Sequence, residues 1–283
     1  MKEENRKYWI NYNGAVYYDG PAHTNDEITR DDAMAALSSL GGYFVRYTSD
    51  FDKKTETEWW WCIKDSPVDL GELKANKRRD IRICMRNCTI IRLLKCDLKK
   101  YAPKLADCCM DVFATYPNAY RPNVSKKDLE DSFIHEERDV FVALTKQEGN
   151  VAGFSICRVV GDTVDMSIVR VSPQFNKYCV SAGIVYELCN YYINEKGVRY
   201  ISDGQRNVRH ETNFQSFLIS TLGFRKAYCD LHILYTPKVY YAIKILYPLK
   251  KMFSLTKNLN GYLYNIYCAL EQEHIFRSFK INN

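Results

Sequence analysis

What the chain lacks narrows its class before any motif is read. It holds eleven cysteines but no Cys-x-x-Cys pair, and no histidine stands at ligand spacing near Cys84 and Cys88. That argues against a zinc framework and for reduced thiols used as small apolar side chains, so no metal is expected. The opening "MKEENRKYWI" has no apolar segment of the kind a secretory signal needs. No run reaches the roughly 18 apolar residues that span a bilayer. The expected address is cytoplasmic, at most peripheral to the inner membrane face. No fixed-period repeat is present, which excludes solenoids and propellers.

What is there suits a folded domain. The 283 residues are 46% hydrophobic and 26% charged, enough for a buried core. The 22 tyrosines predict many half-buried rings with a hydroxyl reaching a partner or water. The net charge of +6 is unevenly placed. Residues 71–100 hold ten Lys or Arg against three acids, and residues 237–283 hold seven against two. Both stretches are candidates for phosphate-rich partners.

Three regions are expected: 1–70, 71–236 and 237–283. In the first, "YWINYNGAVYYDG" predicts a hairpin turning at Asn-Gly, and "TRDDAMAALSSLGG" a short helix with a Thr cap and a Gly stop. The Trp59–Trp60–Trp61 run would either stack on a base or sugar or alternate across a sheet. In the second, "GELKANKRRDIRICMRNC" predicts a basic amphipathic helix. Ile81, Met85 and Cys88 share its apolar face, and Arg78, Arg82 and Arg86 form a cationic ridge. That ridge is either a solvated face or a contact for phosphates.

From Thr89 the predicted order is β-α-α-β-β-β-α-β-α-β, with Asp97 and Ser125 as helix caps. This is an α+β pattern with a mixed, mostly antiparallel sheet flanked by helices. Residues 237–283 predict two aromatic, basic helices broken near Pro248 and Gly261. They would cover the sheet or rest on a membrane with Lys250, Lys251 and Lys257 at the headgroups.

The stretch Arg209–Tyr235, "RHETNFQSFLISTLGFRKAYCDLHILY", begins polar, becomes an apolar stripe, stops at Leu222–Gly223–Phe224–Arg225 and restarts as a strand. This hinge, at the end of that element order, resembles the GNAT superfamily of acyl-CoA N-acyltransferases over residues 89–236. A second resemblance lies in Arg78, Arg79, Ile81, Arg82 and Arg86 followed by Cys88–Leu93. It is similar to the helix that opens the second domain of FemAB-like peptidyltransferases, which carry two GNAT-like halves. Residues 1–70 would then be a reduced GNAT-like half and 237–283 a helical extension.

The resemblance implies two parallel strands that part to hold an activated acyl group. They are the strand Asp165–Val171 and the strand Val198–Asp203. It implies acyl-CoA, acetyl-CoA first, as donor, cradled by Val169, Val171, Asn176, Lys177, Ser181, Thr212 and Asn213. The family pattern Val-x-Pro-x-x-Arg/Gln-Gly-x-Gly is matched at Val171 and Pro173. Asn176 takes the Arg/Gln place, and Lys177 and Cys179 replace the two glycines. Bulky residues there hinder backbone approach to a pyrophosphate. Ile219 stands where many of these enzymes carry a tyrosine acid.

Asp165 and Ser167 share one strand face, and Asp165 is the expected group for orienting or deprotonating the amine. Asp203 ends the opposing strand. His210 is a candidate acid or base. Arg206 and Arg209, with Arg78, Arg82 and Arg86, are candidate contacts for a carboxylate, phosphate or tRNA. The expected activity is acyl transfer to an amine on a small molecule or an envelope precursor. The alternatives are an aminoacyl-tRNA-dependent FemAB-type transferase and an inactive GNAT-like module on an anionic surface.

Overall fold

The computed structural model describes residues 8–116, 121–208, 213–256 and 261–281. The chain divides into two compact units. The first contains residues 1–62, 205–212 and 226–283; the second contains 63–204 and 213–225.

In the first unit, the hairpin β1 (Trp9–Tyr12) and β2 (Ala15–Tyr18) turns at Asn13–Gly14 as predicted. β2 pairs in parallel with β3 (Phe44–Lys53). Helix α1 (Arg30–Leu40) begins in a capping box between Thr29 and Asp32. Its Ala33, Ala36 and Leu37 are buried in one cluster with Trp9, Val16, Tyr18 and Val45. The tryptophan run packs across a sheet: Trp59 and Trp61 are buried, and β4 (Trp60–Lys64) carries the chain into the second unit.

The second unit holds the sheet β5 (Cys88–Arg92), β6 (Asp139–Thr145), β7 (Val151–Val160), β8 (Thr163–Val171) and β9 (Tyr200–Gln205), adjacent in the order β5-β6-β7-β8-β9. Its pairs are antiparallel from β5 to β8, and β8–β9 is parallel. Strand alternation sends Val140, Val142, Phe154 and Ile156 to one face. There they are buried with Leu105, Cys109 and Phe113 of α3 (Leu98–Ala114) and Phe133 of α4 (Lys126–Ile134). Burying side chains of this size contributes about 1.5–3 kcal/mol each.

α5 (Val180–Cys189) buries Val180, Ile184, Val185 and Leu188, and α2 (Ala75–Asn87) packs against it. The approach is close because residue 183 is glycine: a Cβ there would stand 2.2 Å from the Cys84 sulfur. α6 (Phe214–Leu222) ends at Gly223, whose φ of 70° is left-handed, and the buried Phe224 turns the chain into β10 (Arg225–Tyr235). The hinge predicted from Leu222–Arg225 is thus a helix closed by an αL glycine.

Several expectations need correction. Met85 is exposed, and Cys84 takes its place beside Ile81 on the buried face of α2. Asp97 makes no side-chain cap bond, because a 3-10 turn, Lys95–Asp97, leads directly into α3. The division at 70 and 236 is not the division by contacts. β10 pairs antiparallel with β3, which places it with the N-terminal strands. The C-terminal helices belong to the same unit: Tyr235 Oη donates to Glu273 and Arg46 Nη1 to Gln272. They are α7 (Pro237–Leu246), α8 (Lys250–Thr256) and α9 (Gly261–Ile281).

Candidate active site

A slot is built in the second unit by two parallel strands that stop pairing. β8 and β9 are joined at Thr163–Tyr200, Val164–Ile201 and Asp165–Ser202. No ladder pair follows, although β8 runs to Val171 and β9 to Gln205. β8 stays paired with β7 as far as Val171–Gly153. A bulge accounts for the parting. Cys157 faces Met166 while Ile156 faces Ile168, which makes Ser167 an extra residue on β8. An extra residue bends and over-twists its strand, and this one sits two positions after the last β8–β9 pair.

The two carboxylates at the fork differ. Asp165 is half-buried; its Oδ2 accepts from Ser167 Oγ at 2.7 Å and lies 3.9 Å from the Arg158 guanidinium. The predicted shared face of Asp165 and Ser167 is therefore realised. Asp203 is the first β9 residue past the last pair. Burial pushes its carboxyl up to about 7; a hydrogen bond from Gln215 pulls it down, and the charge of Asp165 adds to the rise. Gln215, in the first turn of α6, also donates to the Asp203 backbone oxygen at 3.3 Å. The neighbouring Gly204 N–H is held by Ser202 Oγ at 2.9 Å. A carboxyl held near neutrality by burial and a like charge is suited to taking a proton at physiological pH.

Sequence alone assigns proton transfer to Asp165 and His210, and to Asp203 only the end of a strand. The available signal was its place: an Asp followed by Gly at the C-terminal end of the strand across the gap. His210, Thr212 and Arg209 lie outside the described residues.

The loop from β8 to α5 is a 3-10 turn, Pro173–Tyr178. Phe175 N–H donates to Ser172 C=O and Cys179 N–H to Asn176 C=O, so two of its amides are used within the turn. Buried Ser172 donates to Asp111 of α3 at 2.7 Å, which ties the loop down. Cys179 has φ 53° and ψ 38°, the left-handed conformation that the family pattern supplies with glycine. Asn176 and Lys177 are exposed, and Ser181 is half-buried in the first turn of α5. Val169 and Val171 are half-buried on the part of β8 that is no longer paired with β9. Asn213 is the exposed N-terminal flank of α6 and makes no side-chain cap bond. Ile219 is half-buried.

The arginines divide. Arg206 is committed within the first unit: its Nη1 donates to both the carbonyl and the carboxylate of Glu58, at 2.6 and 2.7 Å. Arg78 donates to Gly71 C=O at 2.8 Å, so it does not stand free on the ridge. Arg82 and Arg86 are exposed and form no ion pair among the described residues.

No family model matches the sequence, and no curated protein does. Solved structures do resemble it. A C-terminal DUF2156 domain from Agrobacterium fabrum, assigned to lysylphosphatidylglycerol synthetase, is 11% identical with a TM-score of 0.53, covering 83% of this chain and 82% of that one. This chain shares that domain's fold: a mixed, mostly antiparallel sheet flanked by helices. FemX is 12% identical with a TM-score of 0.47, over 76% of this chain and 72% of its own. A GCN5-related N-acetyltransferase from Sphaerobacter thermophilus is 12% identical with a TM-score of 0.41, over 80% and 75%. At these identities the likeness is one of fold.

Proposed function

We propose that the chain is an acyl-transfer enzyme that delivers an activated acyl group to an amine in the slot between β8 and β9. The parting of those strands immediately after Asp165–Ser202, with Asp203 on the freed end, carries this reading. The amine nitrogen attacks the carbonyl carbon; the new C–N bond forms as the C–S or C–O bond to the carrier breaks. Asp203 accepts the amine proton. Asp165 orients the amine and, by its charge, keeps Asp203 basic. Backbone amides along the parted edges are donors for the carbonyl oxygen. With Ile219 at the family's tyrosine position, the leaving group takes its proton from solvent.

The first donor reading is acyl-CoA, acetyl-CoA above all, with Val169, Val171, Asn176, Lys177, Ser181 and Asn213 along its path. A second reading, an aminoacyl-tRNA donor, is favoured by the loop amides already bonded within the 3-10 turn and by exposed Arg82 and Arg86. Thermal-shift titration separates the two. Ligand at about 100 times its dissociation constant stabilises by roughly 2.7 kcal/mol, a rise of several degrees. A rise with acetyl-CoA supports the first. Salt-sensitive binding of tRNA without any CoA response supports the second. Neither response removes the enzyme reading.

A further inference from the structure

An unusual surface lies in the first unit, on the C-terminal helices. α7, the 3-10 turn Tyr247–Leu249 and α8 follow one another without a gap from Pro237 to Thr256. One stripe faces inward: Val239, Ile243, Leu246 and Phe253 pack with Leu270 of α9. Lys250, on the same side, pairs with Glu271 at 2.9 Å.

In an ordinary amphipathic helix the opposite stripe is polar. Here it reads Tyr241, Ile245, Leu249, Met252 and Leu255, spaced by four, four, three and three. All are exposed, Ile245 at 70% and Leu255 at 84%. Apolar groups so placed meet water at a cost unless something covers them. Lys238, Lys244 and Lys251 flank the stripe, exposed and without an ion pair among the described residues. Residues 237–257 hold five lysines and no acid.

We propose that this outward face of α7–α8 lies on an anionic lipid surface, its aliphatic side chains in the headgroup–acyl boundary and its lysines at the phosphates. The inference stands apart from the transferase reading. Charge decides the occupant. A second copy would set these lysines against their own kind, whereas anionic lipid complements them. The tyrosines at 240, 241 and 262, all exposed, suit an interface where one end of a ring is apolar and the other wet. No helix among the described residues is long and apolar enough to cross a membrane, so the mode is lying on, not spanning.

Co-sedimentation of the full chain with vesicles tests this. Phosphatidylcholine vesicles containing phosphatidylserine should pellet the protein, and pure phosphatidylcholine should not. Added salt should weaken the binding. Ile245→Asp with Leu255→Asp should reduce it about tenfold or more, as should Lys244→Glu with Lys251→Glu. All four positions are exposed, so circular dichroism and melting should be unchanged. Arg82→Glu with Arg86→Glu makes the same change of net charge elsewhere and should leave vesicle binding intact. Three results would overturn the proposal. One is no binding to anionic vesicles. Another is equal loss from the Arg82 and Arg86 pair. The last is self-association in sedimentation that Ile245→Asp abolishes while vesicles recruit nothing.

Discussion

Asp165 and Asp203 are the same residue type on adjacent strands, one on each side of the fork, yet their surroundings give them different chemistry. Asp165 sits at β8's last pair with β9, with a hydroxyl donor and an arginine nearby. Asp203 sits one step past β9's last pair with β8, where burial dominates and the charge of Asp165 has its own sign. The difference teaches that the fork itself, more than either residue, sorts the carboxylates. Pairing holds one in a polar strand, and parting leaves the other desolvated at the slot.

The strongest test of that contrast is Asp203→Asn. Loss of a general base should lower kcat by about 100-fold or more in a steady-state assay with the donor found by thermal shift. Equal activity would place the base elsewhere. For the unaltered chain, kcat/KM against pH should rise to a plateau with its midpoint near 7, the Asp203 value. Asp165→Asn removes the neighbouring negative charge, so that midpoint should move to lower pH, with turnover down about tenfold and little loss of stability. A midpoint that does not move would mean the two carboxylates are not coupled.

Smaller effects concern stability. The Asp203 carboxyl is raised in the folded state, so the proton it holds stabilises the fold below the unfolded carboxyl range. That stability is lost as pH rises through about 7. Asp203→Asn should therefore be near neutral at pH 4 and more stable than the parent by roughly 2 kcal/mol at pH 8, measured by urea unfolding. Cys179→Gly relieves a left-handed non-glycine residue in the loop that leaves β8. It should raise stability by up to about 1 kcal/mol, because relief of the left-handed backbone outweighs the added freedom of the unfolded chain. It also tests whether the fork depends on that loop: activity should persist.

Much of the fold was legible. The hairpin at Asn13–Gly14, the Thr29 and Ser125 caps and the stop at Gly223 are local signals, written in a few adjacent residues. The element order from β5 to β9, and the parting of the strand that leads into Pro173 from the next one, followed once the hinge had suggested the family. The failures were non-local. Met85 and Cys84 both fit an apolar stripe; Gly183 across the interface admits only a close neighbour, and Cys84 is the one it meets. Arg206 looked like a ligand contact because nothing nearby in sequence predicts Glu58 as its partner. Both basic stretches drew attention by charge alone. Structure separates them: α2 exposes Arg82 and Arg86 over buried Ile81 and Cys84, while α7–α8 exposes Ile245 and Leu255.

The sequence by itself determined the element order, the turns and caps, and the mixed, mostly antiparallel core, because those depend on periodicity and on residues within a turn of one another. Only the tertiary structure decided that β10 joins β3, that Asp203 is the carboxyl raised toward neutrality, and that the outward face of α7–α8 is apolar. Strand partners, desolvation and exposure are properties of what surrounds a residue, and those surroundings come from segments far away along the chain.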